Sequence, residues 1–218
     1  MESLIQNILI GALPILLAIT LHEAAHGYTA RHFGDPTAWQ AGRISLNPMR
    51  HISLVGTVLV PLSILLLSEG DFLFGWAKPV PVDFGRLRQP KKDMLWVAAA
   101  GPAANLLMVF GWALLLKLDL ILPFNPFSLA LAKMALIGIN INLALMLLNL
   151  LPLPPLDGGR IVLSLLPTRM ALSYAQLERF GLPILLVLLF TGILGALLTP
   201  LTSLLRDLLQ LIFQLPLA

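Results

Sequence analysis

Two imidazoles and a carboxylate stand at zinc-hydrolase spacing in His22-Glu23-Ala24-Ala25-His26, inside an otherwise apolar run. On an α-helix, positions four apart share a face, so His22 and His26 can grip one ion while Glu23 sits beside it to handle a proton. A buried helix with two incidental histidines is the plain alternative. A catalytic zinc takes three protein ligands and keeps a fourth position for water. The chain has no cysteine, so the third ligand must be another histidine or a carboxylate. His32 and His51 stand in a polar stretch beside arginines, where an interfacial role fits better. Asp157 is the stronger candidate: it follows an apolar span, precedes Gly158 and Gly159, and is costly to ionise at membrane depth without a cationic partner. On residue chemistry alone, pairing with Arg160 explains Asp157 equally well.

Such a set supports hydrolysis of a peptide bond. Zinc polarises a carbonyl and acidifies water, and Glu23 can take the water proton and deliver it to the leaving amine. Asn105, in Gly101-Pro102-Ala103-Ala104-Asn105, and Asn149 place amides inside apolar spans, where they could hold substrate backbone. Asn140 and Asn142 offer the same, and an interhelical hydrogen bond is the plain alternative for all four. A non-proteolytic membrane metal-binding or transport protein using the same three ligands is the competing function. It has no evident need of a non-ligating carboxylate next to the first histidine.

The elements that position these residues must be membrane helices. Of 218 residues, 58% are hydrophobic and 11% charged, with a mean hydropathy of +0.89, far from the soluble average. This implies an all-α polytopic membrane protein, one domain over residues 1–218. Five to six transmembrane or re-entrant helices and a small membrane-associated β element are expected, with no room for a sizeable soluble domain. The net charge of +3 comes from dispersed cations without an aromatic-rich basic stripe, which argues against nucleic acid and for a lipid bilayer as the partner. Residues 1–21 lack a basic n-region and read as a retained span rather than a cleavable leader.

Apolar runs at about 4–28, 94–116, 127–151 and 182–198 are candidate spans, and a further one at 201–215 is weakened by Arg206 and Asp207. Residues 42–47 and 76–82 read as short extended pieces, the second an edge because of its two prolines. Such an edge could pair with an unwound substrate. If Asp157 is to join His22 and His26, an even number of crossings must separate them, which requires the short apolar run at 54–68 to be re-entrant. That reading gathers the 14 Lys and Arg, all but Lys117, Lys133 and Arg206, on one membrane face. The positive-inside bias then opens the site toward the cytoplasm, with the N-terminus outside.

Taken together, the motifs resemble the site-2 protease family, peptidase family M50, and specifically its small bacterial and archaeal members without PDZ or CBS domains. His22 to His26 is similar to the family's HExxH, Gly101 to Asn105 to its GPxxN, and Asn149 to Gly159 to its N-x-x-P-x-P-x-x-D-G-G. The resemblance implies one Zn2+ per chain on His22, His26 and Asp157, Glu23 as general base, and Asn105 and Asn149 near bound substrate. It implies a zinc metalloendopeptidase of the cell membrane of a prokaryote, cutting a transmembrane protein substrate in or near its membrane segment in regulated intramembrane proteolysis. Control would come from the bundle itself, from a regulatory partner or from a homo-oligomer. Small members often carry His-Ile-Asp-Pro before Gly-Thr, whereas this chain reads His51-Ile52-Ser53-Leu54, a departure that touches none of the implied ligands.

Overall fold

A computed structural model describes residues 2–60, 62–63, 77–122 and 127–215. Among these the regular structure is helical: α1 (Glu2–His32), a short α2 (Thr37–Gln40), α3 (Pro90–Ile121), α4 (Ser128–Asn149), α5 (Asp157–Leu165), α6 (Thr168–Ala175), α7 (Glu178–Phe190) and α8 (Ile193–Phe213). Four of them, α1 from Leu9, α3, α4 and α8, are long and apolar enough to cross a membrane, and α6 with α7 forms a pair bent by 59° that passes the same test together. At 1.5 Å per residue each of the four clears the roughly 30 Å hydrocarbon core. The protein is an integral membrane protein.

Local sequence explains where the helices begin and end. Pro90 opens α3 at a position whose N–H needs no partner, and the Asp93 carboxylate reaches back to accept the Gln89 N–H at 2.7 Å. Helix α1 closes with Arg31 and His32 against its negative end, and Gly34 turns the chain at φ +108°. Helix α4 stops before the proline run at 152–155, whose Pro154–Pro155 bond is cis. Helix α3 is the central element, packed against α1, α4 and α5, while α4 also lies against α1. The main core lies between α3, α4 and α8 and holds Val109 and Ala113 of α3, Ile139 and Leu143 of α4, and Leu209 of α8.

Two expectations need correction. Among the described residues there is no strand, so the β element is absent there; Trp76 itself lies outside them. The reason is chemical: Pro79 and Pro81 cannot donate to a ladder, Lys78 N–H goes to His51 O at 2.8 Å, and Val80 N–H goes to a side chain. The expected span at 182–198 is divided. Helix α7 ends at Phe190, Gly192 takes φ +76°, and α8 starts at Ile193 and runs through the 201–213 region as one helix. Arg206, which argued against a span there, donates to Asn140 Oδ1 on α4 at 2.8 Å.

The run at 54–68 starts as a π-helical turn, Leu54–Leu59, and most of its remainder lies outside the described residues. The hydrogen bond between Lys78 and His51 holds the segments on either side of that run together.

Candidate active site

The last turns of α1 and the first residue of α5 meet against the middle of α3. His22 Nε2 and His26 Nε2 lie 3.1 Å apart, and Asp157 Oδ2 lies 3.3 Å from the first and 3.4 Å from the second. All three side chains are largely buried, at 9%, 12% and 13% exposure. Asp157 is carried there by the abrupt start of α5 after Leu156. Gly158 and Gly159 allow that turn to press against the backbone of residues 150–154, where any Cβ would collide.

The outer nitrogens of both rings face acceptors. His22 Nδ1 is 2.6 Å from Asn105 Oδ1, and His26 Nδ1 is 2.7 Å from the Val97 carbonyl oxygen. An oxygen acceptor at Nδ1 demands a proton there, so each neutral ring turns an unprotonated Nε2 toward the other and toward Asp157. Asp157 Oδ2 is itself buried without a hydrogen-bond donor. With both rings neutral, three lone-pair atoms converge on one point, an arrangement that repels itself unless a cation sits between. Tetrahedral zinc with bonds of about 2.05 Å would separate its ligands by about 3.3 Å, close to the observed spacings. The residues present fit the metal.

Helix α3 supplies the opposite wall with one face. Val97, Gly101 and Asn105 recur every four residues: the first and last hold the two rings, and Gly101 lies between them. A Cβ at Gly101 would stand 2.7 Å from His22 Nε2 and closer still to His26 Nε2. Only glycine leaves space at the point where the three ligand atoms converge.

Glu23 belongs to the same turn of α1 but is held differently. Its Oε2 accepts the Val80 N–H at 2.7 Å, which leaves Oε1 for other work. Residues 77–83 run past the site as extended backbone fixed at three points: Lys78 on His51, Val80 on Glu23, and Asp83, whose N–H donates to Asp35 Oδ2 at 2.7 Å. Arg43 also donates to Lys78 O at 2.9 Å. Asp35 is fully buried. Burial opposes its charge, but hydrogen bonds from the Thr37 hydroxyl and N–H and from Asp83 N–H, with Arg86 nearby, hold its pKa below the ordinary carboxylate value.

Of the sequence candidates, His22, His26 and Asp157 come together as a group able to hold a metal ion, and Glu23 lies beside them in α1. Asn105 is fully buried behind His22, with Nδ2 donating to Asn142 Oδ1 at 2.8 Å and reaching Ala18 O at 3.4 Å. Its polar atoms are thus engaged within the bundle. Asn149 turns its Nδ2 back to Leu145 O on its own helix at 3.0 Å. His32 is exposed and meets the Phe33 ring edge-on, and His51 is buried with Nε2 on Ser45 O, so neither joins the set. Arg160 pairs with Glu178 at 3.4 Å and lies over the Phe84 ring, leaving Asp157 to the histidines.

Sequence reasoning gave Gly101 only as the start of a motif, without its place against the two rings, and missed Val97 and Val80. A glycine four positions before a buried polar residue was a readable signal for the first. Backbone donors and acceptors leave almost none for the other two, beyond the prolines that bracket Val80.

Two imidazoles and a carboxylate, gathered between apolar helices with a second carboxylate alongside, define a metallopeptidase site inside a membrane protein. The comparisons agree. Residues 124–192, which include Asp157, match the pattern described as Peptidase family M50. Similar proteins include "Putative zinc metalloprotease YwhC" of Bacillus subtilis, 38% identical over 196 residues, 88% of this chain and 85% of that one. "Putative zinc metalloprotease Rip2" of Mycolicibacterium smegmatis is 33% identical over 83% of this chain and 66% of its own length. "Putative zinc metalloprotease MJ0611" of Methanocaldococcus jannaschii is 29% identical over 65% of this chain and 62% of its own. No solved structure matches. The chain belongs to peptidase family M50, the site-2 protease family.

Proposed function

We propose that this protein is a zinc endopeptidase that cuts a transmembrane protein substrate in or near its membrane segment. The observation that carries the reading is the convergence of His22 Nε2, His26 Nε2 and Asp157 Oδ2 on one point, with Glu23 alongside. His22, His26 and Asp157 hold one zinc, which when bound supplies Lewis acidity to the scissile carbonyl and to water. Glu23 does the proton work. Held at Oε2 by the Val80 N–H, it accepts a proton from the attacking water, whose oxygen bonds to the carbonyl carbon, and returns that proton to the amine as the C–N bond breaks. Asn105 keeps the His22 ring in its ligating orientation, and Val97 does so for His26.

The substrate must present unwound backbone, because a helix hides its peptide bonds in its own hydrogen bonds. Residues 77–83 are the extended backbone nearest Glu23. Their hydrogen bonds at 78 and 80 fall at the two-residue spacing of one edge, and the other edge carries Pro79, whose carbonyl meets Arg43 at 3.4 Å, and Pro81, both without an N–H. Substrate that pairs there donates its own N–H groups. The site opens toward the cytoplasmic face of a prokaryotic cell membrane, where the positive-inside bias sets most Lys and Arg. The whole chain, residues 1–218, acts as one domain.

Glu23→Gln tests the assignment, with detergent-purified protein and a single-span test peptide whose membrane segment carries a helix-breaking Gly-Pro. We expect zinc content unchanged and hydrolysis reduced by about 10²–10⁴-fold, the scale of general-base catalysis. Cleavage at the wild-type rate would contradict it.

A further inference from the structure

Behind His22 the structure carries a directed chain of hydrogen bonds that crosses three helices. Its far end is fixed by backbone. Asn142 on α4 donates Nδ2 to the Gly138 carbonyl of its own helix at 2.8 Å. An amide flip would put Asn142 Oδ1 against that carbonyl, acceptor on acceptor, so the side chain has one favourable orientation. Asn142 Oδ1 consequently faces Asn105, and it accepts Asn105 Nδ2 at 2.8 Å. With its NH2 committed to Asn142 and Ala18 O, Asn105 can present only oxygen to His22, and it does so at 2.6 Å from Nδ1. Both amides have 0% exposure, so no bulk water offers a competing partner, and the low-polarity surroundings make a mismatched amide expensive.

We infer that Asn142 is a positioning residue which, through Asn105, fixes the His22 tautomer and so leaves His22 Nε2 unprotonated for the metal. The inference rests on the zinc site proposed above and extends it to a residue that touches neither metal nor substrate. Sequence alone leaves Asn142 as one of several amides in apolar spans. Two observations separate it from both Asn140 and Asn149: complete burial and direct contact with the partner of a ligand. Asn140 is exposed and accepts from Arg206, and Asn149 bonds only within its own helix among the contacts described. The chain of bonds also ties the ligand to the α3–α4 contact, since Gly138 is where the Trp112 ring of α3 lies so close that any Cβ would collide with it.

The experiment measures zinc affinity by chelator competition on the full-length, detergent-purified protein, with the visible spectrum of the Co2+-substituted form as a second readout. Asn142→Leu removes the acceptor for Asn105 while keeping a buried side chain of similar size. Asn142→Asp keeps an acceptor at that place, its fully buried carboxyl staying neutral so that the O–H takes over the bond to the Gly138 carbonyl. The relay requires Asn142→Leu to weaken zinc binding by about 10- to 100-fold, the usual cost of losing an outer partner of a ligand, with an altered Co2+ ligand-field spectrum. Asn142→Asp should stay within about threefold of wild type and retain its spectrum. If Asn142→Leu fails to fold, Asn142→Ser, too short to reach Asn105, takes its place. Equal affinities in all forms, or equal losses in Leu and Asp variants, would overturn the relay while leaving the zinc site standing. A wild-type protein that binds no zinc would overturn both.

Discussion

The ligand cradle and the segment that holds Glu23 are built from different material. Both histidines are clamped from helix α3, one by a buried side-chain amide and one by a backbone carbonyl, and Asp157 is fixed by a glycine-backed helix start. Glu23 instead meets a single N–H from an extended segment outside the helices, whose other ties are to His51, Arg43 and Asp35. The difference matches the work proposed for each part. Metal ligands must stay within a few tenths of an ångström of one geometry, which rigid, desolvated helix packing provides. A general base has to meet water and substrate and exchange a proton with both, so its support lies at the margin of the bundle.

The comparison can be broken first at the cradle. Gly101→Val places methyl groups where the three ligand atoms converge, and we expect loss of zinc and with it all hydrolysis, checked by metal analysis beside retained helicity. Zinc at the wild-type level in that variant would mean that α3 does not form the wall of the site.

Val80→Pro sharpens the other half. It removes the N–H given to Glu23 in a stretch already carrying Pro79 and Pro81, so the backbone path should survive. Zinc content should not change, and kcat should fall by about tenfold, the rate equivalent of one hydrogen bond to a charged group. An equal loss of zinc would erase the distinction between the two regions.

The smallest effect concerns Asp35, which anchors the far end of the same segment. Its pKa is lowered in the fold, so the folded state binds fewer protons than the unfolded one. Its stabilising contribution is full above the ordinary carboxylate pKa near 4 and is lost as pH falls through the lower folded value. In thermal unfolding measured against pH, the gap between wild type and Asp35→Asn should therefore be constant above about pH 4 and shrink below it. A gap independent of pH down to the acid limit would show that the Asp35 charge contributes nothing.

Legibility in the sequence divides along the same line. His22, Glu23 and His26 sit within one helical turn and a half, so their spacing carries their geometry. Asp157 lies more than a hundred residues on, and residue chemistry left it balanced against Arg160 until the likeness to a family tipped the choice. The spans of α1, α3 and α4 arise from uninterrupted apolar runs. The break at Thr191-Gly192 was overlooked although a glycine there is an ordinary helix stop, because the hydropathy continues on both sides. The expected β element rested on alternation and prolines, but those prolines remove the donors that a ladder needs. An amide in an apolar span has no address in sequence, so Asn105 reads there as a substrate contact or an interhelical bond alike; its contact with His22 exists only once α1 and α3 are packed.

The most direct test of the three-ligand site is zinc per chain in detergent-purified wild type and Asp157→Ala after loosely bound metal has been removed. Such a site requires about one zinc in the wild type and a sharp reduction in the variant, which would join two motifs distant in sequence into one centre. Absence of zinc from the wild type, or equal retention without Asp157, would contradict it.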